Sequence, residues 1–232
     1  MKNFYQQITI AGQTTALVTQ KLDRAERVSA AQEIMQKSSA IEQVGFLDQT
    51  SSPYPIFTMM GEELSLIGSL AAGCQLLNGK MGQAAFQASG ILRPISVKLN
   101  RLTGTLQIPA GTAMKQAPDQ ITLGGISFLV INRLPKNRII YSSERRRLQE
   151  LLLKSPAAGI VFYQNNQIYP VVQVKETNTL VWESACGSGS VAFFLATGNS
   201  TIIQPSGAIL TVSRENDTLQ LSVLRKDITY ET

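Results

Sequence analysis

Two short stretches, half a chain apart, constrain this sequence more than any other feature. Glu63-Leu64-Ser65-Leu66-Ile67-Gly68-Ser69-Leu70-Ala71-Ala72 and Glu183-Ser184-Ala185-Cys186-Gly187-Ser188-Gly189-Ser190-Val191-Ala192 share a plan. Each runs from a Glu through a Gly-Ser pair into small apolar residues. A helix that is apolar all round is a buried helix. Each stretch follows an amphipathic segment, 23–37 in the first case and 142–154 in the second, and two strand-like runs. The element order therefore predicts a two-fold internal repeat of about 116 residues. In this alignment Ile67 and Cys186 occupy the same place.

The rest of the chain fits around those helices. Strands are expected at 4–10, 15–20, 42–48 and 56–60, and again at 158–163, 167–174 and 179–182. Residues 84–131 alternate like strands, broken at Gly90, Pro94, Gly104, Pro109-Ala110-Gly111 and Gly124-Gly125. Asp23 is placed to cap the first amphipathic helix, and Ser142-Ser143-Glu144 the second. Closing strands are expected at 200–204, 208–213 and 219–224. The expected class is α/β (α+β), poor in helix. Two pseudo-symmetric domains are expected, 1–109 and 110–232, with the last strands free to pack back on the first half.

Composition narrows the chemistry. The 232 residues include no histidine and two cysteines, Cys74 and Cys186. That removes a His general base, a Ser-His-Asp or Cys-His pair, and a His-ligated metal. Two cysteines do not make a zinc knuckle or a disulfide framework. The net charge is +5, but the one dense basic run, Arg145-Arg146-Arg147, has no interleaved aromatics and reads as a solvated helix face. No apolar stretch approaches the 20 or so residues of a membrane span. No signal-peptide core follows Met1, so the expected compartment is the cytoplasm, with free thiols. Neither nucleic acid nor membrane is an expected partner; a homodimer is left open.

Two helices of similar start, brought together by a repeat, create a cleft. Their unpaired N–H groups and positive dipole ends suit a carboxylate held from both sides. Gly68, Gly187 and Gly189 allow close approach of a ligand to the backbone. Cys186 at a helix start is expected to have a lowered thiol pKa. A dinucleotide loop is not expected at Gly187-Ser188-Gly189, because no acidic residue follows about 20 positions on.

Ala185-Cys186-Gly187-Ser188-Gly189-Ser190 resembles the second catalytic motif of the diaminopimelate epimerase-like family, Ala-Cys-Gly-(Thr/Ser)-Gly. Gly12-Gln13-Thr14 resembles that family's Gly-Asn-Asp turn, and Glu42-Gln43-Val44 its substrate-binding Gln site. Gly61-Glu62-Glu63 resembles the turn before its first catalytic Cys, and Gln204-Pro205-Ser206-Gly207 a Pro-Gly-Gly turn near its end. The resemblance implies two domains, each a curled, mostly antiparallel sheet around a central helix. It implies isomerases or racemases that need no cofactor and no metal, with two thiols on opposite faces of the substrate α-carbon. The sequence departs from the pattern where Cys-Gly-Asn-Gly is expected and Ile67-Gly68-Ser69-Leu70 stands. A Glu-Arg pair is missing at Thr177-Asn178-Thr179, and an Asn-Pro-His segment near 125–129. Diaminopimelate is therefore not the expected substrate.

The expected activity is proton transfer next to the carboxylate of an amino acid or related small acid. Cys186 is the expected thiol acid/base, with Glu63 as its partner ahead of Glu62 and Cys74. Gly187, Ser188 and Gly189, with Gly68 and Ser69 opposite, are expected to bind the carboxylate. On resemblance, Gln13 and Gln43 orient the substrate. A one-base isomerase of the phenazine-biosynthesis type is a further reading. The alternative is a catalytically silent relative that binds a small carboxylate or serves as a structural or interaction protein.

Overall fold

The computed structural model describes residues 4–51 and 53–231, and its two halves repeat one sequence of elements. The first half begins with a hairpin, β1 (Tyr5–Ile10) and β2 (Gln13–Val18). Helix α1 (Arg24–Lys37) crosses over to β3 (Ile41–Asp48), which lies parallel to β2, and β4 (Ile56–Met59) turns back beside it. The buried helix α2 (Leu66–Leu76) leads to β5 (Gly82–Ala88), parallel to β4, then β6 (Ile95–Leu99) and β7 (Thr103–Pro109).

The second half retraces this path. After β8 (Ala113–Ala117) comes a hairpin, β9 (Gln120–Leu123) and β10 (Ile126–Asn132). Helix α3 (Ser142–Leu152) crosses to β11 (Ala157–Gln164), parallel to β10, and β12 (Gln167–Val174) returns antiparallel. A short extra strand, β13 (Thr179–Trp182), precedes the buried helix α4 (Gly187–Thr197). Strands β14 (Thr201–Ile203), β15 (Ile209–Glu215) and β16 (Thr218–Leu224) follow, and β17 (Ile228–Glu231) ends the described fold.

Three pairings bind the halves together, with β8 counted as the end of the first half. β7 lies antiparallel to β16 along its whole length. β8 joins the second half's hairpin through β9, while β17 joins the first half's hairpin through β1. Each half thus takes its hairpin's outer neighbour from the far end of the other half. The result is a pseudo-symmetric pair of curled, mostly antiparallel sheets, each wrapped on a central helix.

The central helices form because their residues are small and apolar, and they are buried for the same reason. Leu66 to Cys74 of α2 and Gly187 to Phe193 of α4 are all buried. α2 packs on β2, β5 and β6, and α4 on β9, β10, β11 and β15. Close packing is enforced at Gly73, where a Cβ would lie 2.3 Å from Val97 Cβ. The outer helices are amphipathic. Asp23 caps α1 through Glu26 N, and Glu26 returns the bond to Asp23 N. In α3 the cap falls one residue earlier than expected, at Tyr141, whose N–H donates to Glu144 Oε2 at 2.7 Å. Among the described residues, no helix is long and apolar enough to cross a membrane.

Candidate active site

The starts of α2 and α4 meet at the junction of the halves. Both helices are 11 residues long, and each is capped by the residue just before it. Ser65 Oγ accepts from Gly68 N at 3.0 Å, and Cys186 Sγ accepts from Gly189 N at 3.1 Å. The counterpart of Cys186 is therefore Ser65, not Ile67. Ile67 is the second residue of α2, and its side chain is fully buried in the core. The expectation erred by two residues because it matched small-residue composition, whereas cap geometry fixes the register.

Contact between the helix starts is direct. Ser188 Oγ accepts from Leu66 N at 3.2 Å and donates to Leu64 O at 3.1 Å. A Cβ on Gly187 would lie 3.0 Å from Leu66 Cβ, so this approach needs glycine. Gly68 and Gly189 sit deeper, their N–H groups engaged by the two caps. Ser69 is fully buried and lies off the cavity wall. The N–H groups of Gly187, Ser188 and Ile67 find no acceptor among the described residues.

A small cavity opens in front of this contact. Cys186, Gly187 and Ser188 line it from the second half, and Glu63, Leu64 and Ser65 from the first. Gln13 of β2 and Glu42 and Gln43 of β3 form another wall, and Glu183 enters from the β13–α4 connection. Val172, Val174 and Ile126 supply an apolar floor. The structure thus brings Cys186, Glu63, Gln13, Gln43, Gly187 and Ser188 of the expected set together.

An amide network fixes the first-half side. Ser65 Oγ donates to Gln43 Oε1 at 2.7 Å. Gln43 Nε2 donates to Thr15 Oγ1 at 2.8 Å and to Gln13 Oε1 at 3.3 Å. On the other side, Cys186 N donates to Gln204 Oε1 at 2.9 Å, and Gln204 Nε2 donates to Ser190 Oγ at 3.0 Å. Gln204 is wholly buried, so it locks the backbone that carries the thiol.

Three carboxylates share the cavity. Glu42 Oε2 accepts from Ser184 N at 2.8 Å, and burial raises its pKa. Burial pushes Glu63 up to about 7 and Glu183 up to about 8. Glu183 is half-buried as a residue, yet its Oε2 is shut away from water without a partner. Glu63 Oε2 is in the same condition, and so is Gln13 Nε2, which approaches Glu42 and Glu183 without a well-aligned bond. Buried polar atoms are nearly always paired. Three orphans around one cavity leave bonding capacity directed into it.

The thiol departs from expectation. Burial and the adjoining Glu183 and Glu42 carboxylates raise the Cys186 pKa well above its ordinary value, and the Gly189 N–H offsets this only in part. Desolvation outweighs the helix start, so the resting group is a thiol. Sequence reasoning also passed over Ser65, Glu42 and Glu183. Ser65 carried a signal, since Ser is a preferred N-cap ahead of an apolar run.

The family model described as the histidine racemase CntK N-terminal domain matches residues 5–225. The histidine racemase of Staphylococcus aureus (strain Mu50) is 24% identical over 242 residues, spanning 88% of this chain and 86% of that protein. Among solved structures, a predicted epimerase from Pseudomonas aeruginosa superposes with a TM-score of 0.64 at 12% identity, covering 98% of this chain and 96% of its own. A phenazine biosynthesis PhzF-family protein from Enterococcus faecalis gives 0.60 at 12% identity, with the same coverage. These two likenesses establish the shared pseudo-symmetric fold.

Proposed function

The chain belongs to the histidine racemase CntK N-terminal domain family, and from that premise we propose that it inverts the α-carbon of an amino acid carrying a basic side chain. The observation that carries this reading is the composition of the cavity. Glu42, Glu63 and Glu183 surround it with a thiol and two helix starts, and among the described residues no Lys or Arg lines it. A zwitterion with one further positive charge brings two cationic groups to Glu42 and Glu63 and one carboxylate to the N–H donors. The name of the Staphylococcus aureus relative suggests histidine as the first substrate to try.

The substrate carboxylate fits the N–H groups of Gly187 and Ser188, with Ile67 N–H from the facing helix. These donors also stabilise the charge that moves onto the carboxylate when the α-proton leaves. Gln13 and Gln43 orient the substrate from β2 and β3. Glu42 offers its charge to the ammonium group. Cys186 and Glu63 are the acid/base pair. Above about pH 7 the resting site holds an ionised Glu63 and a protonated Cys186. In that state Glu63 takes the α-proton and the Cys186 thiol delivers its own to the opposite face. The reverse inversion needs the opposite protonation of the pair. A positive substrate beside Cys186 also offsets the carboxylates that hold its pKa up.

The test is α-proton exchange in D₂O across a panel of L- and D-amino acids, with chiral separation of the products. Deuterium uptake with inversion, greatest for basic side chains and absent in Cys186→Ala, is the expected result. Uptake confined to neutral amino acids would remove the charge argument, and no uptake from any of the panel would remove the racemase reading.

A further inference from the structure

One carboxylate touches both the interior of the site and its outside. Glu183 lines the buried cavity together with Cys186. It also lines a separate surface groove formed by Arg138, Tyr169, Trp182 and Pro205. Its carboxylate lies beside the Cys186 thiol on the cavity wall, close enough to raise the thiol's pKa. Its buried Oε2 has no partner. Glu183 precedes the capping thiol by three residues, on the connection from β13 that the first half lacks. Building on the racemase reading above, we propose that Glu183 is the proton relay of Cys186, carrying protons between the buried thiol and water in the outer groove.

The thiol needs such a route. When Cys186 gives its S–H proton to the substrate carbon, a thiolate is left in a site that strongly disfavours it. Glu183 O–H then gives its proton to the sulfur, and water in the groove returns one to the Glu183 carboxylate. No electron pair leaves the site, and no further reactant is needed. The order of affinities suits the direction of flow. Sulfur holds its proton most tightly, and Glu183 releases one only near pH 8. The groups that face Glu183 are Cys186, Glu42 from β3, Glu63 from the β4–α2 connection and Gln13 from β2. Arg138, from the β10–α3 connection, lines the groove side and lowers the Glu42 pKa.

The experiment compares wild type, Glu183→Gln and Glu183→Asp by two readouts. In the first, the rate of Cys186 alkylation by iodoacetamide is followed against pH by peptide mass spectrometry, which needs no turnover. Removing the carboxylate moves the midpoint down by about 1 unit. In the second, racemisation of the best substrate is measured at rising concentrations of small acid buffers. Glu183→Gln lowers kcat on the order of 100-fold, leaves KM within about threefold, and recovers part of the rate as buffer is added. Glu183→Asp retains more of the rate than Gln. An unmoved alkylation midpoint overturns the relay. So does a raised KM with unchanged kcat, because Glu183 would then be a holder of the substrate ammonium. If wild type exchanges no α-proton, the racemase reading fails, and the alkylation profile alone decides whether Glu183 and Cys186 are linked.

Discussion

The two helix starts use one backbone device for different ends. Ser65 and Cys186 both cap through the N–H three residues on, and both face the same cavity. The Ser65 proton goes to Gln43, an amide that does not titrate and that is braced by Thr15 and Gln13. The Cys186 side chain lies beside Glu183, which does titrate. After the cap the first half continues Leu66-Ile67-Gly68 and the second Gly187-Ser188-Gly189. Leu and Ile fill the core, while Gly187 admits the neighbouring helix. The comparison teaches that two equal frames can carry different chemistry, a hydroxyl tied to an amide in one and a thiol beside carboxylates in the other.

The sharpest way to break that division is Cys186→Ser, which makes both caps hydroxyls. Ser is a good N-cap, so the melting temperature should change little. α-Proton exchange in D₂O should fall more than about 1,000-fold. Retained exchange would show that a hydroxyl suffices on either side.

Glu63→Gln tests the first half's contribution to chemistry and to stability together. Burial raises Glu63 from the ordinary carboxylate range to about 7, so the folded state binds its proton more tightly than the unfolded chain. Stability is then greatest below the unfolded pKa and declines as pH rises toward 7, by about 3 kcal/mol. The substitution should remove that part of the slope in chemical denaturation across pH 4 to 8. The decline that remains toward pH 8 belongs to Glu183. An unchanged slope would mean that Glu63 is not the buried acid.

A smaller effect separates the glycines. Gly187→Ala places a Cβ 2.8 Å from Leu221 Cδ2 and 3.0 Å from Leu66 Cβ, forcing the helix starts apart. A loss of about 1–3 kcal/mol is expected. Gly68→Ala meets Met59 Sδ first, at 2.8 Å, and a flexible thioether can give way, so its cost should be lower. Thermal melts of the two variants decide the order. The smallest effect is Ser65→Ala, which loses a cap bond worth about 1 kcal/mol while leaving the thiol untouched. Iodoacetamide labelling of Cys186 should be unchanged in it.

Much of the fold was legible because its signals are local. The four helices fall within a residue or two of where periodicity and caps put them, and small apolar residues marked α2 and α4 as buried. The repeat was visible in element order. Its register was not, because Gly68-Ser69 and Gly187-Ser188 are the same pair of letters. Only the hydrogen bonds at Ser65 and Cys186 show which residue caps. The thiol misled for a related reason. A helix start is visible in sequence, whereas the burial that opposes it depends on contacts from β2, β3 and the β13–α4 connection. Glu42 and Glu183 were overlooked because a single carboxylate in sequence carries no sign of the cavity that three of them share.

The exchange of outer strands has a consequence for how the molecule is made. β1 leaves a ribosome well before its edge partner β17, since the rest of both halves lies between them. Until β17 emerges the first half therefore presents an open strand edge, with Ile8 and Ile10 beside it. Its sheet closes only when the second half has been made, and β17 acts as the latch.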